Sequence, residues 1–260
     1  MRLDDVDWAA KPWKAISDDD LGAALAVPSM LTMDEARLYY WLAARAEGLG
    51  AVIDLGTHRG GSAARLLAGL ATSASAAPLY TYDRFVTPEG EGDMLTQVQT
   101  ALAPWGARVT CVKGDIARQA WTGGAVEILS VDAAKSPTTA DRIAAEFFPA
   151  LEPFQSVLIQ QDFLHAKQPW LPVQMAALAD CFQLVARAGN VCAVFIPTAK
   201  VTADHLEDAR TEGLTDKELL ARLEEAAQRF SPALPAQRFA DQRAMVLANP
   251  GVRDAWRMRR

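Results

Sequence analysis

Three cysteines and three histidines are all that 260 residues contain, and that scarcity narrows the chemistry at once. Cys111, Cys181 and Cys192 show no C-x-x-C spacing, so neither a zinc ribbon nor a disulfide scaffold is to be expected. Two of them lie in apolar runs that read as strand, and buried free thiols in a reducing compartment are the expectation. Long apolar runs are also missing: none approaches the roughly 20 residues needed to span a bilayer. The start, Met1-Arg2-Leu3-Asp4-Asp5, lacks the apolar segment of a signal peptide. These absences lead us to expect a cytoplasmic protein without a membrane partner. An excess of positive charge is absent too. Lys and Arg number 26 against 32 Asp and Glu, a net charge of -6, which argues against a nucleic-acid partner because phosphate binding needs basic side chains to replace counterions. The basic tip Arg257, Arg259 and Arg260 is too short to alter this and reads as a solvated tail.

What the sequence has is a generous apolar half, enough to bury a sizeable core. Residues 1–50 read as an arm of irregular or short-helical segments carrying Trp8 and Trp13. They end in a helix opened by Thr32-Met33-Asp34-Glu35, a Thr followed three residues later by Glu. Tyr39, Tyr40 and Trp41 sit on that helix, as core residues or as a lid. Over 51–200, short apolar runs alternate with helical patterns. Strands are expected near 51–55, 79–82, 109–112, 126–131 and 156–159, with helices over 62–70, 94–102 and 139–150. Alternation of this kind implies parallel βαβ units with both sheet faces covered. The runs 182–185 and 191–196 are separated by too few residues for a helical crossover, so they must form an antiparallel hairpin. Residues 201–260 read as a helical extension, with Leu214, Leu219, Leu220 and Leu223 on one face and a plausible homodimer surface. The whole reads as one structural domain with additions at both ends.

The densest chemical signal is Asp54-Leu55-Gly56-Thr57-His58-Arg59-Gly60-Gly61-Ser62, directly after the first strand. Gly56 permits a sharp turn, Gly60 and Gly61 let a ligand approach the backbone, and the helix opening at Ser62 aims its amides at that ligand. Dinucleotide sites require G-x-G-x-x-G against a pyrophosphate. This turn lacks that spacing and places a carboxylate, Asp54, where a pyrophosphate would be repelled and a cationic ligand welcomed. Asp83 ends the second strand, where an acid can accept both hydroxyls of a ribose; alone it indicates only an adenosine-type nucleoside. After the third strand, Asp115 can accept from an adenine amino group while Ile116 packs on the ring. The same Asp115 serves equally as a helix N-cap.

Between Met30 and about Lys200, these residues, together with the Asp132 segment and Gln160-Gln161-Asp162, resemble the class I S-adenosylmethionine-dependent methyltransferases. The narrower resemblance is to the branch of bacterial macrolide-sugar and other natural-product O-methyltransferases. It implies a Rossmann-like α/β fold: seven strands, mostly parallel, closed by the C-terminal antiparallel hairpin. It implies S-adenosylmethionine as cofactor, with the methionine moiety at Asp54, Gly56, Thr57, Gly60 and Ser62, the ribose at Asp83, and the adenine at Asp115 and Ile116. Asp132 lies where cofactor and acceptor meet.

At the catalytic end the sequence departs from the family pattern. Metal-dependent members use strand-end carboxylates to hold magnesium, which acidifies a substrate hydroxyl. Here one expected carboxylate is Gln161, and Lys135 sets an ammonium beside Asp132 and Asp162. No metal is therefore expected. Deprotonation would fall to a side chain, with His165 as general base and Asp132, Asp162 and Lys135 lining the acceptor pocket; Lys135 can alternatively be a local ion pair. The expected activity is methyl transfer to oxygen or nitrogen of a small molecule. Two alternatives stay open: a non-methylating reaction that cyclises or cleaves the aminobutyrate arm and releases methylthioadenosine, and a non-catalytic nucleoside-binding partner subunit.

Overall fold

The computed structural model describes residues 3–86 and 93–259, save the side chain of Asp4; Met1, Arg2 and Arg260 lie outside them. Seven strands form one sheet: β1 (Ala51–Leu55), β2 (Leu79–Asp83), β3 (Val109–Lys113), β4 (Val126–Val131), β5 (Val157–Gln160), β6 (Phe182–Ala188) and β7 (Cys192–Pro197). Their order is β3-β2-β1-β4-β5-β7-β6. Every neighbour pair from β3 to β5 is parallel, and β7 runs antiparallel to both β5 and β6. The fold is thus Rossmann-like α/β, mostly parallel, with the reversed hairpin that the short 182–196 spacing required.

Burial on both faces explains why β1 and β4 read as continuous apolar runs. Alternate residues belong to opposite layers. Ile53, Leu55, Leu129 and Val131 meet Phe147, Trp170, Leu219 and Phe239. Val52 and Ile128 meet Leu38, Tyr39, Leu66 and Leu67 on the other side. The first layer is built by α5 (Pro137–Phe147), α6 (Trp170–Ala177), α8 (Asp216–Phe230) and α9 (Ala236–Ala248). The second is built by α2 (Met33–Ala43), α3 (Gly61–Thr72) and α4 (Met94–Leu102). Two short helices, α1 (Asp18–Leu21) and α7 (Ala203–Asp208), complete the set among the described residues.

Local chemistry fixes the ends that matter. Thr32 and Glu35 form the expected capping box: Thr32 Oγ1 accepts from the Glu35 amide at 3.3 Å and Glu35 Oε2 accepts from the Thr32 amide at 2.7 Å. At α5 the cap is Ser136, with Pro137 next, so this helix starts two residues earlier than the periodicity suggested. Helix α6 had no amphipathic signature because it is buried nearly all round, from Trp170 to Met175. On the C-terminal extension, Leu219 and Leu223 are buried as their spacing requires. Leu214 and Leu220 are only half-buried, and the seam continues through Ala226 and Phe230.

The N-terminal arm is a series of single-turn segments anchored by tryptophan. Trp8 and Trp13 each meet Trp41 edge to face and lie tilted to one another, with centroids 5.8–6.4 Å apart. The Trp13 indole N–H donates to Asp34 Oδ1 at 2.7 Å, and Asp34 Oδ2 accepts from the Gly189 amide at 2.9 Å. The arm is thereby tied, through the first turn of α2, to the β6–β7 turn. Cys181 and Cys192 are buried free thiols, while Cys111 is only half-buried. No helix among the described residues is long and apolar enough to cross a membrane.

Candidate functional site

In an open parallel sheet the ligand crevice lies outside the carboxyl ends of the strands, where successive crossovers diverge. Here that point is the β1/β4 boundary, since β2 and β3 lie to one side of β1 and β4 and β5 to the other. A cavity of about 860 Å³ opens there, within the usual range for small-molecule sites. Its floor is made by strand-end segments: Gly56 and Thr57 after β1, Asp83 ending β2, Asp115 and Ile116 after β3, Asp132 after β4, and Gln161 and Asp162 after β5. Because β6 runs parallel to β1–β5, its turn into β7 also reaches this end and contributes Asn190 and Val191. Two pieces from outside the sheet close the sides, Pro28–Thr32 from the arm and Asp254 with Trp256 from the C-terminal segment.

Gly56 is required by contact as well as by conformation. Its φ is +97°, and a Cβ there would sit 3.0 Å from the Asp132 carbonyl carbon. The turn after β1 therefore lies directly on the end of β4. The backbone of Gly60 is left-handed, with φ +89°, and leads into α3, whose first residues Gly61 and Ser62 line the cavity; Gly60 itself is not in the lining and faces Val98 and Leu102 of α4.

Asp54 acts from beneath this turn. It is fully buried, and its Oδ2 accepts from Thr57 Oγ1 at 2.7 Å and Ser62 Oγ at 2.6 Å. The carboxylate is not part of the cavity wall, so the direct ligand contact expected from the sequence is corrected to a hold on the loop. Burial pushes its pKa up, against the Ser62 and Thr57 hydrogen bonds that pull it down. Its Oδ1 is buried without a hydrogen-bond partner. Such an orphan acceptor is costly, and a donor arriving through the glycine turn would satisfy it. Asp83 also steadies the turn: Oδ2 accepts from the His58 amide at 2.9 Å and Oδ1 from the Phe85 amide at 2.8 Å. Asp115 is an N-cap, accepting from the Ala117 amide at 3.1 Å, while facing the cavity with Ile116. The N-cap expected of Asp115 is thus present, and the residue also lines the cavity.

The acids after β4 and β5 converge on one cation. Lys135 Nζ lies 2.6 Å from Asp132 Oδ1 and 2.5 Å from Asp162 Oδ2. Burial pushes the Asp132 carboxyl up to about 7, with the neighbouring Asp162 adding to the rise and Lys135 opposing it. Burial also penalises Asp162, but its ion pair with Lys135 outweighs that and holds it below the ordinary value. The Lys135 ammonium, although desolvated, is kept charged by its two carboxylates. The trio therefore keeps one exchangeable proton near neutrality, centred on Asp132. The same geometry bears on magnesium. The ammonium occupies the space between the two carboxylates, and Gln161 Oε1 is engaged by the Tyr39 hydroxyl at 3.1 Å. This donor set does not fit a divalent cation.

The structure does not bring His165 to the cavity wall. Its Nδ1 accepts from the Lys167 amide at 3.2 Å in the turn beyond β5, and its charge acts on Asp162, which it helps to hold low. Of the aromatics considered for a lid, Trp8, Trp13 and Trp41 are core. Tyr39 alone approaches the site, its hydroxyl 2.8 Å from Ser130 Oγ. Sequence reasoning missed Glu35, Val191, Asp254 and Trp256. Glu35 is buried, and its carboxyl is pushed up by burial despite the Thr32 hydrogen bonds; its capping role concealed it. The other three come from segments without a motif.

No family model matches the chain, and no curated protein matches it either. Solved structures of similar outline exist. One is the S-adenosylhomocysteine-bound methyltransferase PaMTH1 of Podospora anserina, with 13% identity over 75% of this chain and 89% of that one and a TM-score of 0.49. Another is the O-methyltransferase of Bacillus cereus in complex with S-adenosylhomocysteine, 12% identical over 74% and 96%, with a TM-score of 0.48. A methyltransferase of Geobacter sulfurreducens is 15% identical over 74% and 95%, also with a TM-score of 0.48. Similarities this slight leave the chemistry to be argued from the site itself.

Proposed function

We propose that the chain is an S-adenosylmethionine-dependent methyltransferase acting on oxygen or nitrogen of a small molecule, of natural-product or sugar type, without a metal. One observation carries the reading: the cavity at the β1/β4 boundary is walled by Asp83, Asp115, Asp132 and Asp162, with Lys135 already shared by two of them. Arg59 and Arg84 line the same cavity, but with Lys135 they face six carboxyl side chains, Glu35 and Asp254 included, a balance that favours a cationic nucleoside over a diphosphate. Bound, the cofactor supplies a methyl group on a sulfonium that is already activated. The protein's share is orientation and exclusion of water. Asp83 keeps lone pairs for ribose hydroxyls, and Asp115 with Ile116 offers an acceptor and an apolar face to adenine. The turn Gly56–Thr57, braced by Asp54 through Thr57 and Ser62, supports the amino-acid end together with Gly60. Asp132 takes the acceptor's proton as general base, in the role first assigned to His165. Lys135 steadies the developing negative oxygen, and Asp162 holds Lys135 in place.

Calorimetry should show S-adenosylhomocysteine binding and no NAD binding. Mass spectrometry of reactions with an acceptor panel should then show a mass gain of one methyl group. Accumulation of methylthioadenosine without any methylated acceptor would favour the non-methylating alternative. Failure to bind either nucleoside would leave only a scaffold.

A further inference from the structure

Trp256 is the most exposed large apolar side chain near the cavity after Met30, at 78% and 80%, and both residues line it. The exposure of Trp256 does not come from a loose tail. Ala255 and Met258 on either side are buried, and the Ala255 amide donates to the Lys135 carbonyl at 2.9 Å. Arg253 is fixed to Asp216 at 2.6 Å, and the Arg259 amide donates to Asn249 Oδ1 at 2.8 Å. An anchored backbone therefore holds an uncovered indole next to the amide that bonds the Lys135 backbone carbonyl. Met30, Leu31 and Val191 line the same cavity. The cavity thus combines apolar side chains with the acid–lysine cluster of Asp132, Lys135 and Asp162.

Resting on the methyltransferase reading, we infer that the acceptor is a planar aromatic hydroxy compound whose ring stacks on Trp256, opposite Met30, with its hydroxyl directed to Asp132 and Lys135. An indole face favours a flat π-system, and a thioether packs well on the other side. The inner chemistry points the same way. A single ammonium already shared by two carboxylates stabilises an oxyanion less than a divalent ion does, so the acceptor must contribute an acidic hydroxyl. A phenolic hydroxyl ionises near pH 10, against about 15.7 for water, which alcohols resemble. In the reaction the phenolic oxygen bonds to the methyl carbon and its proton passes to Asp132. The electron pair of the broken carbon–sulfur bond stays on sulfur, leaving a neutral thioether.

The test is calorimetric titration of 2-naphthol, with methyl glucoside as control, into protein saturated with S-adenosylhomocysteine. The wild type should bind 2-naphthol and not the glycoside. Trp256→Ala should weaken 2-naphthol binding about tenfold, in the range of lost aromatic stacking. Trp256→Phe should restore most of it, and S-adenosylhomocysteine affinity should be unchanged in both variants. If the glycoside binds instead, or Trp256→Ala binds 2-naphthol as tightly as wild type, the inference is overturned while the cofactor assignment stands. Absence of S-adenosylhomocysteine binding would instead sink the parent reading. Sedimentation of the same variants covers the remaining outcome: a Trp256→Ala protein that dissociates from dimer to monomer with 2-naphthol affinity intact makes Trp256 an interface residue and refutes the platform.

Discussion

A single carboxyl sets the pH behaviour expected of this site. Asp132 must be ionised to accept a proton, and burial holds its pKa at about 7. The rate should therefore rise with pH through about 7 and level off above it, as a pH–rate profile at saturating cofactor will show. Asp132→Asn should remove that limb and lower kcat by roughly a hundredfold or more, a typical share for a positioned base, with little change in S-adenosylhomocysteine affinity. Lys135 pulls both neighbouring carboxyls down, so its loss must move them up. Lys135→Gln should displace the same limb to higher pH; a limb that stays in place would show that Lys135 does not govern the proton. His165 illustrates the limit of residue-level reading. Its position after β5 was legible, but its ring direction is decided by a local hydrogen bond to the Lys167 amide, which no motif encodes.

At the scale of elements, the turn from β1 into α3 carries the site. Gly56→Ala combines a left-handed φ with a Cβ forced onto the end of β4, a strain on the order of 1–3 kcal/mol. Thermal melting should fall accordingly, and S-adenosylhomocysteine affinity measured by calorimetry should drop at least tenfold because the turn must lift away from Asp132. Most elements were readable because their physics is local. The capping box at Thr32 and Glu35, the apolar runs of β1 and β4, and the short 182–196 hairpin each announce themselves within a few residues. Helix α6 did not, since a helix buried all round loses its period. The site divided in the same way: Asp83 ends a strand, and Asp115, Asp132 and Asp162 follow strand ends within two residues, so all four were legible by position. Trp256 reaches the cavity only through tertiary contacts of a segment some 120 residues beyond Lys135, a juxtaposition that spacing alone does not predict.

For the molecule as a whole, the arm and the site are mechanically linked. Trp13 is fully buried and bonds Asp34, which in turn holds the Gly189 amide, and the arm continues into the cavity wall at Pro28–Thr32. Trp13→Ala should cost about 3–5 kcal/mol of stability, as for other large core truncations, measured by urea unfolding. It should also make the arm susceptible to limited proteolysis before the sheet unfolds; simultaneous cleavage of arm and core would show that the arm has no separate hold.

The backward run of β7 has one more consequence. It starts from a three-residue connection, Gly189 to Val191, of which Asn190 and Val191 line the cavity. An insertion there would disturb the ladder between β6 and β7, because hairpin register depends on loop length. That rim is inelastic, whereas the borders supplied by the two terminal segments belong to no ladder and are held by side-chain and single backbone bonds that tolerate change in the residues between them. Variants remodelled to accept bulkier acceptors should therefore accumulate their changes around Met30 and Trp256 and leave the hairpin turn untouched.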